Sequence, residues 1–214
     1  FNNGRALQAR ELTQSQTIIQ SEIERISKFL FKEGGFFNNS YGSLSGAYAP
    51  VGFVKITDDL VSLTGYATLV GTTITSSAAG VTALVKAVIP ATGSDPDTLL
   101  VKYKSSNNTT SATTNTTPKI FEPADTLSYD TGTISGTLTV QTTNTASNPT
   151  TGKAAFIEVP EFSTFAAGHI VSVNAQSLII SKYSSTPTET IGYTLSEKII
   201  TAADNIALYD NSGT

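Results

Sequence analysis

The sequence changes character at the glycine pair Gly34-Gly35, and this change limits the possible fold more than any other feature. Residues 1–33 hold 9 of the 30 charged side chains, whereas the remaining 181 residues share 21. Residues 5–33 contain neither Gly nor Pro, which is typical of one uninterrupted helix, and Gly commonly ends a helix. After the pair, short runs rich in Val, Ile, Thr, Tyr and Phe alternate with turn residues. The sequence therefore predicts a mainly β protein with one long N-terminal α-helix.

The predicted helix carries a stripe at alternating three- and four-residue steps, which we call the seam: Leu12, Gln16, Ile19, Ile23, Ile26 and Leu30. This spacing is the pattern of a coiled coil, in which Ile at both edges favours three or four strands over two. The polar Gln16 is a type of residue that fixes register in such a bundle. We expect the seam to be an oligomer interface between copies of the chain. The alternative is an amphipathic helix that lies on its own β region.

The β region is predicted from ten apolar or alternating runs, at residues 52–57, 66–75, 83–89, 98–103, 120–122, 132–141, 154–159, 169–173, 177–183 and 190–197. Few separations are long enough for helical crossovers, so we expect an antiparallel sandwich or a barrel-like sheet. The tracts 105–117 and 142–151 consist almost entirely of Ser, Thr and Asn, which predicts exposed loops.

We therefore expect an oligomerisation helix in residues 1–35 and an inserted β lobe with Ser/Thr-rich loops in residues 36–152. Residues 153–214 should form a β region that continues into a longer chain. The chain contains no Met and begins with Phe1, which also leads us to expect a piece of a longer polypeptide.

The composition argues against most catalytic chemistry. The chain has no Cys and one His, His169, so thiolate nucleophiles, disulfides and the common triads lack their residues. We expect no catalytic residue, no cofactor and no metal site. The net charge of −4 and the scattered Lys and Arg argue against nucleic acid as a partner, and no apolar run is long enough to predict a membrane span.

The remaining candidate residues have structural interpretations beside functional ones. The pairs Asp58-Asp59 and Asp95-Pro96-Asp97 could bind a cation, but both lie in turn contexts where Asp bonds nearby backbone N–H groups. His169 opens an apolar run and is interpreted as structural. Tyr41, Tyr48 and the pair Phe36-Phe37 could stack on a sugar ring, although core packing explains the Phe pair equally well.

Two stretches resemble a known family. The opening, FNNGRALQARELTQSQTIIQ from Phe1 to Gln20, resembles the N-terminal block of a family of large virion structural proteins of tailed bacteriophages, notably contractile-tailed cyanophages. The stretch YSSTPTETIGYTLSEKIIT from Tyr183 to Thr201, continuing to Asp210-Asn211-Ser212, resembles a second block of that family in the same order. One departure is Asn3, where the family more often has Pro. Residues 36–152 show no such resemblance.

The resemblance implies a tail fibre or baseplate component and no active site. It implies a location in the virion, an extracellular particle, and other tail or baseplate proteins as partners. Fibres and their adaptors are commonly trimers, which agrees with a three-stranded seam and favours a homotrimer. The alternative function is a host-receptor or glycan-binding adhesin, in which Tyr41, Tyr48 and the Ser/Thr-rich loops contact sugar. A polysaccharide-degrading tailspike is disfavoured because no carboxylate pair lies outside turn contexts.

Overall fold

The computed structural model describes residues 9–37, 48–57, 68–77, 80–105 and 120–208. These residues contain one α-helix, α1 (Ala9–Leu30), one short 3-10 helix (Ile206–Leu208) and eleven strands. The strands are β1 (Phe36–Phe37), β2 (Tyr48–Lys55), β3 (Thr73–Ser76), β4 (Thr82–Ile89), β5 (Thr98–Ser105), β6 (Thr126–Asp130), β7 (Ser135–Thr139), β8 (Thr151–Val159), β9 (Phe162–Ala166), β10 (His169–Val173) and β11 (Gln176–Ser181). They form two antiparallel sheets, so the prediction of a mainly β protein with an N-terminal helix is confirmed.

The chain divides into two compact units. The first contains the described residues of Phe1–Asn38, Phe162–Val173 and Thr190–Thr214, and the second contains those of Asn39–Glu161 and Asn174–Glu189. These limits differ from the expected segments 1–35, 36–152 and 153–214, because β9 pairs with β1, directly after the helix, and β10 pairs with β9. Strands β8 and β11, which precede and follow them in sequence, pair with each other in the other sheet.

In the first unit, helix α1 ends just before the glycine pair. The Phe31 N–H donates the last helical hydrogen bond to the Ser27 carbonyl at 2.8 Å, and Gly34 adopts a φ of +73° that favours glycine. The chain then enters a three-stranded sheet in the order β1-β9-β10, which we call the small sheet. Strands β9 and β10 form a hairpin whose two turn residues, Ala167 and Gly168, both have positive φ, as a type I′ turn requires.

The second unit is an eight-stranded sheet in the order β11-β8-β2-β5-β4-β3-β6-β7. Central strands β2 and β5 bury both faces: Val54 and Leu99 lie in one apolar cluster, while Phe53 and Leu100 lie in another. Continuous apolar runs such as Leu99-Leu100-Val101 are typical of strands covered on both sides. An isolated bridge joins Ile56 to Val140, but the sheet is not closed into a barrel, so the barrel-like form of the prediction does not apply.

Two predicted strands are wrong. Residues 190–197 form no strand although their polar and apolar residues alternate, and residues 120–122 lie in an irregular segment that buries Phe121. The run 132–141 begins in a turn at Gly132 and contributes only β7, and the strand expected at 66–75 is reduced to β3, with residues 66–67 outside the described part.

Three strands were not predicted: β1, β6 and β9. Strands β1 and β9 form because they pair with each other across more than a hundred residues, and local sequence patterns do not predict such pairing. Of the two Ser/Thr-rich tracts, most of 105–117 lies outside the described residues. Residues 142–149 are exposed, as predicted, whereas Thr150 is buried.

Candidate assembly surface

The seam of helix α1 is exposed along its whole length. The five apolar members, Leu12, Ile19, Ile23, Ile26 and Leu30, have between 49 and 63% of their surface exposed, and Gln16 is exposed as well. The structure thus places all six predicted interface residues together on one face of one helix. Because α-helical positions three and four apart share a face, they form a continuous apolar surface with one polar interruption.

The contacts that tie the helix to the small sheet come mainly from residues 31–34, directly after α1, and not from the seam. The Phe31 ring packs edge-on against Phe37 at 4.9 Å between centroids and tilted against Phe165 at 5.7 Å. The Gly34 N–H donates to the Phe165 carbonyl at 2.9 Å. A Glu33 carboxylate oxygen accepts the Ala167 N–H at 2.8 Å. The alternative of a helix whose apolar seam lies on its own sheet is therefore not what the structure contains.

Charged residues of the helix lie beside the seam and pair with one another. Arg25 donates to Glu22 at 3.1 Å, and Lys28 donates to Glu24 at 2.5 Å. The hydrogen bond and the charge of Lys28 lower the pKa of Glu24, and the same pair raises the pKa of Lys28. Gly168 of the small sheet approaches this pair so closely that a Cβ there would lie 2.3 Å from Glu24 Cγ. The charged pair therefore belongs to the face that meets the small sheet.

The C-terminal segment adds a second exposed apolar group to the same unit. Tyr193 packs against Phe162 at 5.5 Å between ring centroids, which anchors the segment to β9. Beyond it, Asp204 accepts hydrogen bonds from the backbone N–H of Thr201 at 3.1 Å and from its hydroxyl at 2.9 Å, which form a capping motif. Six large apolar side chains of the segment are exposed: Tyr193, Leu195, Ile199, Ile200, Ile206 and Leu208.

Exposed apolar side chains are concentrated in the first unit. Fourteen of the eighteen exposed large hydrophobic residues in the described part of the chain belong to it: seven on α1, six in the C-terminal segment, and Ile170 on β10. The described residues of the larger second unit contribute four: Val70, Ile120, Leu178 and Tyr183. A concentration of exposed apolar side chains is typical of protein–protein contact, so the first unit is the candidate assembly surface.

The other candidates from the sequence fall outside the described residues or into structural roles. Asp58, Asp59 and Tyr41 are not described, nor is the side chain of Tyr48. Phe36 packs against Phe162 at 4.8 Å and Phe37 against Phe31, which is the core-packing interpretation. His169 is exposed at the start of β10. Within the described ranges, no three His, Asp or Glu residues group in a way that could hold a metal ion.

The Asp95-Pro96-Asp97 pair has two different roles. Asp97 accepts the Ala91 N–H at 2.8 Å, which is the turn role predicted for it. The Asp95 carboxylate instead accepts from Lys182 Nζ and from the Tyr183 hydroxyl, each at 2.5 Å. Burial raises the pKa of Asp95, but the hydrogen bonds from Lys182 and Tyr183 and the charges of Lys182 and Lys55 outweigh it and leave this pKa below its usual value.

Lys55, whose charge helps to lower the pKa of Asp95, is the least expected residue of the second unit. It is only 3% exposed, and its Nζ donates to the Asn148 side-chain oxygen. The same Nζ lies over two aromatic rings, 4.6 Å from the centroid of Tyr183 and 6.0 Å from that of Phe53. We call this group the Lys55 cluster: Phe53, Lys55, Asp95, Asn148, Lys182 and Tyr183. Sequence reasoning missed it because its members come from four separate parts of the chain.

The fold and the surface together define a mainly β protein with an N-terminal helix whose apolar seam is exposed. Comparison of the chain with protein-family models, with curated proteins and with solved structures gives no match. No helix in the described part of the chain is both long enough and apolar enough to cross a membrane.

Proposed function

We propose that the protein is a structural component of a phage virion, a tail fibre or a baseplate or fibre-adaptor subunit, that assembles as a homotrimer through helix α1. Assembly is its function in this proposal, and it needs no cofactor, metal or active site. The observation that carries the proposal is the exposed seam on a helix whose contacts with its own sheet come from residues outside the seam, namely Glu24 and Phe31.

The arrangement of the seam supports three helices in the bundle. Gln16, Ile23 and Leu30 occupy one edge of the heptad and Leu12, Ile19 and Ile26 the other. The three-residue steps from the first edge to the second make the first edge position a and the second position d. Ile at both a and d, as in Ile23 and Ile26, favours trimers or tetramers over dimers. The exposed apolar residues of the C-terminal segment lie in the same unit and would be close to neighbouring copies or to other tail or baseplate proteins.

The resemblance of residues 1–20 and 183–201 to virion proteins supplies the location in the particle. One block contains much of the seam, and the other runs into the exposed C-terminal segment. The two resembling blocks thus coincide with the candidate assembly surface, while the unmatched residues 36–152 lie mostly in the second unit.

The test has two parts, one for assembly and one for location. Light scattering on the purified chain at tens of micromolar should give three times the chain mass of 22.4 kDa. Immunogold electron microscopy with an antibody against the chain should label the tail or baseplate of purified particles. A monomeric mass would refute assembly, and particles that remain unlabelled after mild disruption would refute the virion location.

A further inference from the structure

The Lys55 cluster contains an amine and a carboxamide in direct contact, and a carboxylate that is linked to the amine through Tyr183. The Tyr183 hydroxyl donates to Asp95, and the ring of the same residue lies 4.6 Å from Lys55 Nζ. The amine of Lys55 is buried, and the Asn148 oxygen that accepts its hydrogen bond is one bond away from the carboxamide carbon. Phe53 and Tyr183 provide the aromatic surroundings.

We propose that Lys55 and Asn148 join spontaneously in an intramolecular isopeptide bond, with Asp95 as the group that carries the proton. This modification is independent of the proposed function in the virion. It is a single reaction of the chain with itself and involves no external substrate.

The reaction balances without an oxidant, a reductant or a co-reactant. The Asp95 carboxylate first accepts the extra proton of the Lys55 ammonium, as a general base. The neutral Lys55 Nζ then attacks Asn148 Cγ and forms a new C–N bond, and a second proton passes from the attacking nitrogen to Nδ2. The bond between Cγ and Nδ2 breaks, and ammonia leaves with the proton that Asp95 returns, so Asp95 is a carboxylate again at the end.

The surroundings hold the three groups in place. The Asn148 backbone N–H donates to the Thr145 hydroxyl at 3.1 Å, and the two residues also form a backbone bridge, so Asn148 sits in a fixed turn. Lys182 and the Tyr183 hydroxyl orient the Asp95 carboxylate. The turn around Asn148 is exposed, so released ammonia can leave to solvent.

Pro149 separates the proposed Lys55–Asn148 bond from the common deamidation of asparagine, which also releases ammonia. Ammonia is normally lost from Asn when the next backbone nitrogen attacks the side chain, but Pro149 has no N–H with which to do this. The chain has no Cys, so this bond would be its only covalent link between distant segments of the described residues, joining positions 93 residues apart.

The experiment is intact-mass spectrometry of the denatured full chain, followed by peptide mapping. The wild type should be lighter than its sequence mass by one ammonia, and digestion should yield one branched peptide that contains both Lys55 and Asn148. Lys55→Arg and Asn148→Ala should restore the full sequence mass. Asp95→Asn should reduce the cross-linked fraction at least about tenfold, in line with the usual contribution of general acid–base catalysis.

Matched controls separate this bond from other losses of ammonia. Lys86→Arg changes another mostly buried lysine, which pairs with Glu158, and Asn144→Ala changes another Asn of the same loop; both should remain cross-linked. A wild-type chain of full sequence mass overturns the proposal, even if some variants fail to fold. So does a loss of ammonia mapped elsewhere, such as Asn3-Gly4. Undiminished cross-linking in Asp95→Asn overturns the role of Asp95.

Discussion

Replacing Ile23 and Ile26 together by Asp should dissociate the assembly while the β units stay folded. Each of these side chains is 57–58% exposed in the single chain, and full burial of an Ile is worth about 1.5–3 kcal/mol. Covering the exposed remainder therefore contributes about 0.9–1.7 kcal/mol per side chain, or about 5–10 kcal/mol for the six side chains of a trimer. The double substitution removes this contribution and adds six like charges to the bundle centre.

The loss corresponds to a change of at least about 10³-fold in the overall dissociation constant, since 1.4 kcal/mol is a factor of ten. Sedimentation equilibrium over a concentration series measures this change directly, and circular dichroism of the same samples reports whether the strands remain. Ile18→Asp is the matched control, because Ile18 is 56% exposed on the same helix but lies outside the seam. It should leave the trimer intact.

Three results would contradict this reasoning. A monomeric wild type would mean that the seam has no partner of its own kind. Dissociation by Ile18→Asp as much as by the double change would mean that the helix associates without register. Loss of the strand signal in the double variant would mean that the seam supports the fold, against its exposure in the structure.

Three further predictions concern the fold itself. In the chain that carries Ile23→Asp and Ile26→Asp, the further change Phe31→Ala should lower the free energy of unfolding in urea by about 2 kcal/mol, because a half-buried ring loses its contacts with Phe37 and Phe165. The control Phe29→Ala removes an 89% exposed ring and should change this free energy by less than about 0.5 kcal/mol. Gly168→Ala should lower the free energy of unfolding by at least about 1 kcal/mol, and by more than Gly93→Ala does. Both glycines have positive φ, but only a Cβ at position 168 would lie against Glu24. Equal losses in the two variants would refute the close approach of Gly168 to Glu24. Burial raises the pKa of Tyr103 to about 12, so the folded state holds this proton more tightly than the unfolded state and loses stability between pH 10 and pH 12. Tyr103→Phe should reduce this loss of stability, measured by thermal melts across that pH range. An unchanged loss in the variant would contradict the assignment to Tyr103.

The parts of the fold that sequence could predict are those governed by local spacing. The seam, the end of the helix before Gly34 and the strands β8 and β10 follow from periodicity and turn residues within a short window. Residues 190–197 alternate like a strand, yet the structure describes no neighbouring strand with which they pair, and a strand needs such a partner to satisfy its hydrogen bonds. Strand β9, in contrast, forms although its sequence does not predict a strand, because β1 and β10 supply pairing partners on both sides.

The candidate sites divide in the same way. The seam is a property of one helix and could be listed residue by residue in advance, whereas the Lys55 cluster exists only after the turn before β5, the loop before β8 and the segment after β11 meet at β2. Nothing in the neighbourhood of Lys55 in sequence predicts a buried lysine, because Lys is usually exposed and the flanking Val54 and Ile56 explain a strand by themselves.

The two outer strands of the eight-stranded sheet determine whether sheets of different molecules can pair edge to edge. The outer strands of an open sheet, here β11 and β7, can recruit strands from other molecules through unpaired backbone groups and lead to aggregation. At the end of β7 the Thr139 carbonyl is already paired, because it accepts the Thr57 N–H at 2.9 Å. Both outer strands are short, and β11 is interrupted by a bulge between Ile179 and Ser181. Short and bulged outer strands discourage that kind of fusion. If copies assemble through their helices as proposed, these outer strands should keep their sheets from merging at high local concentration.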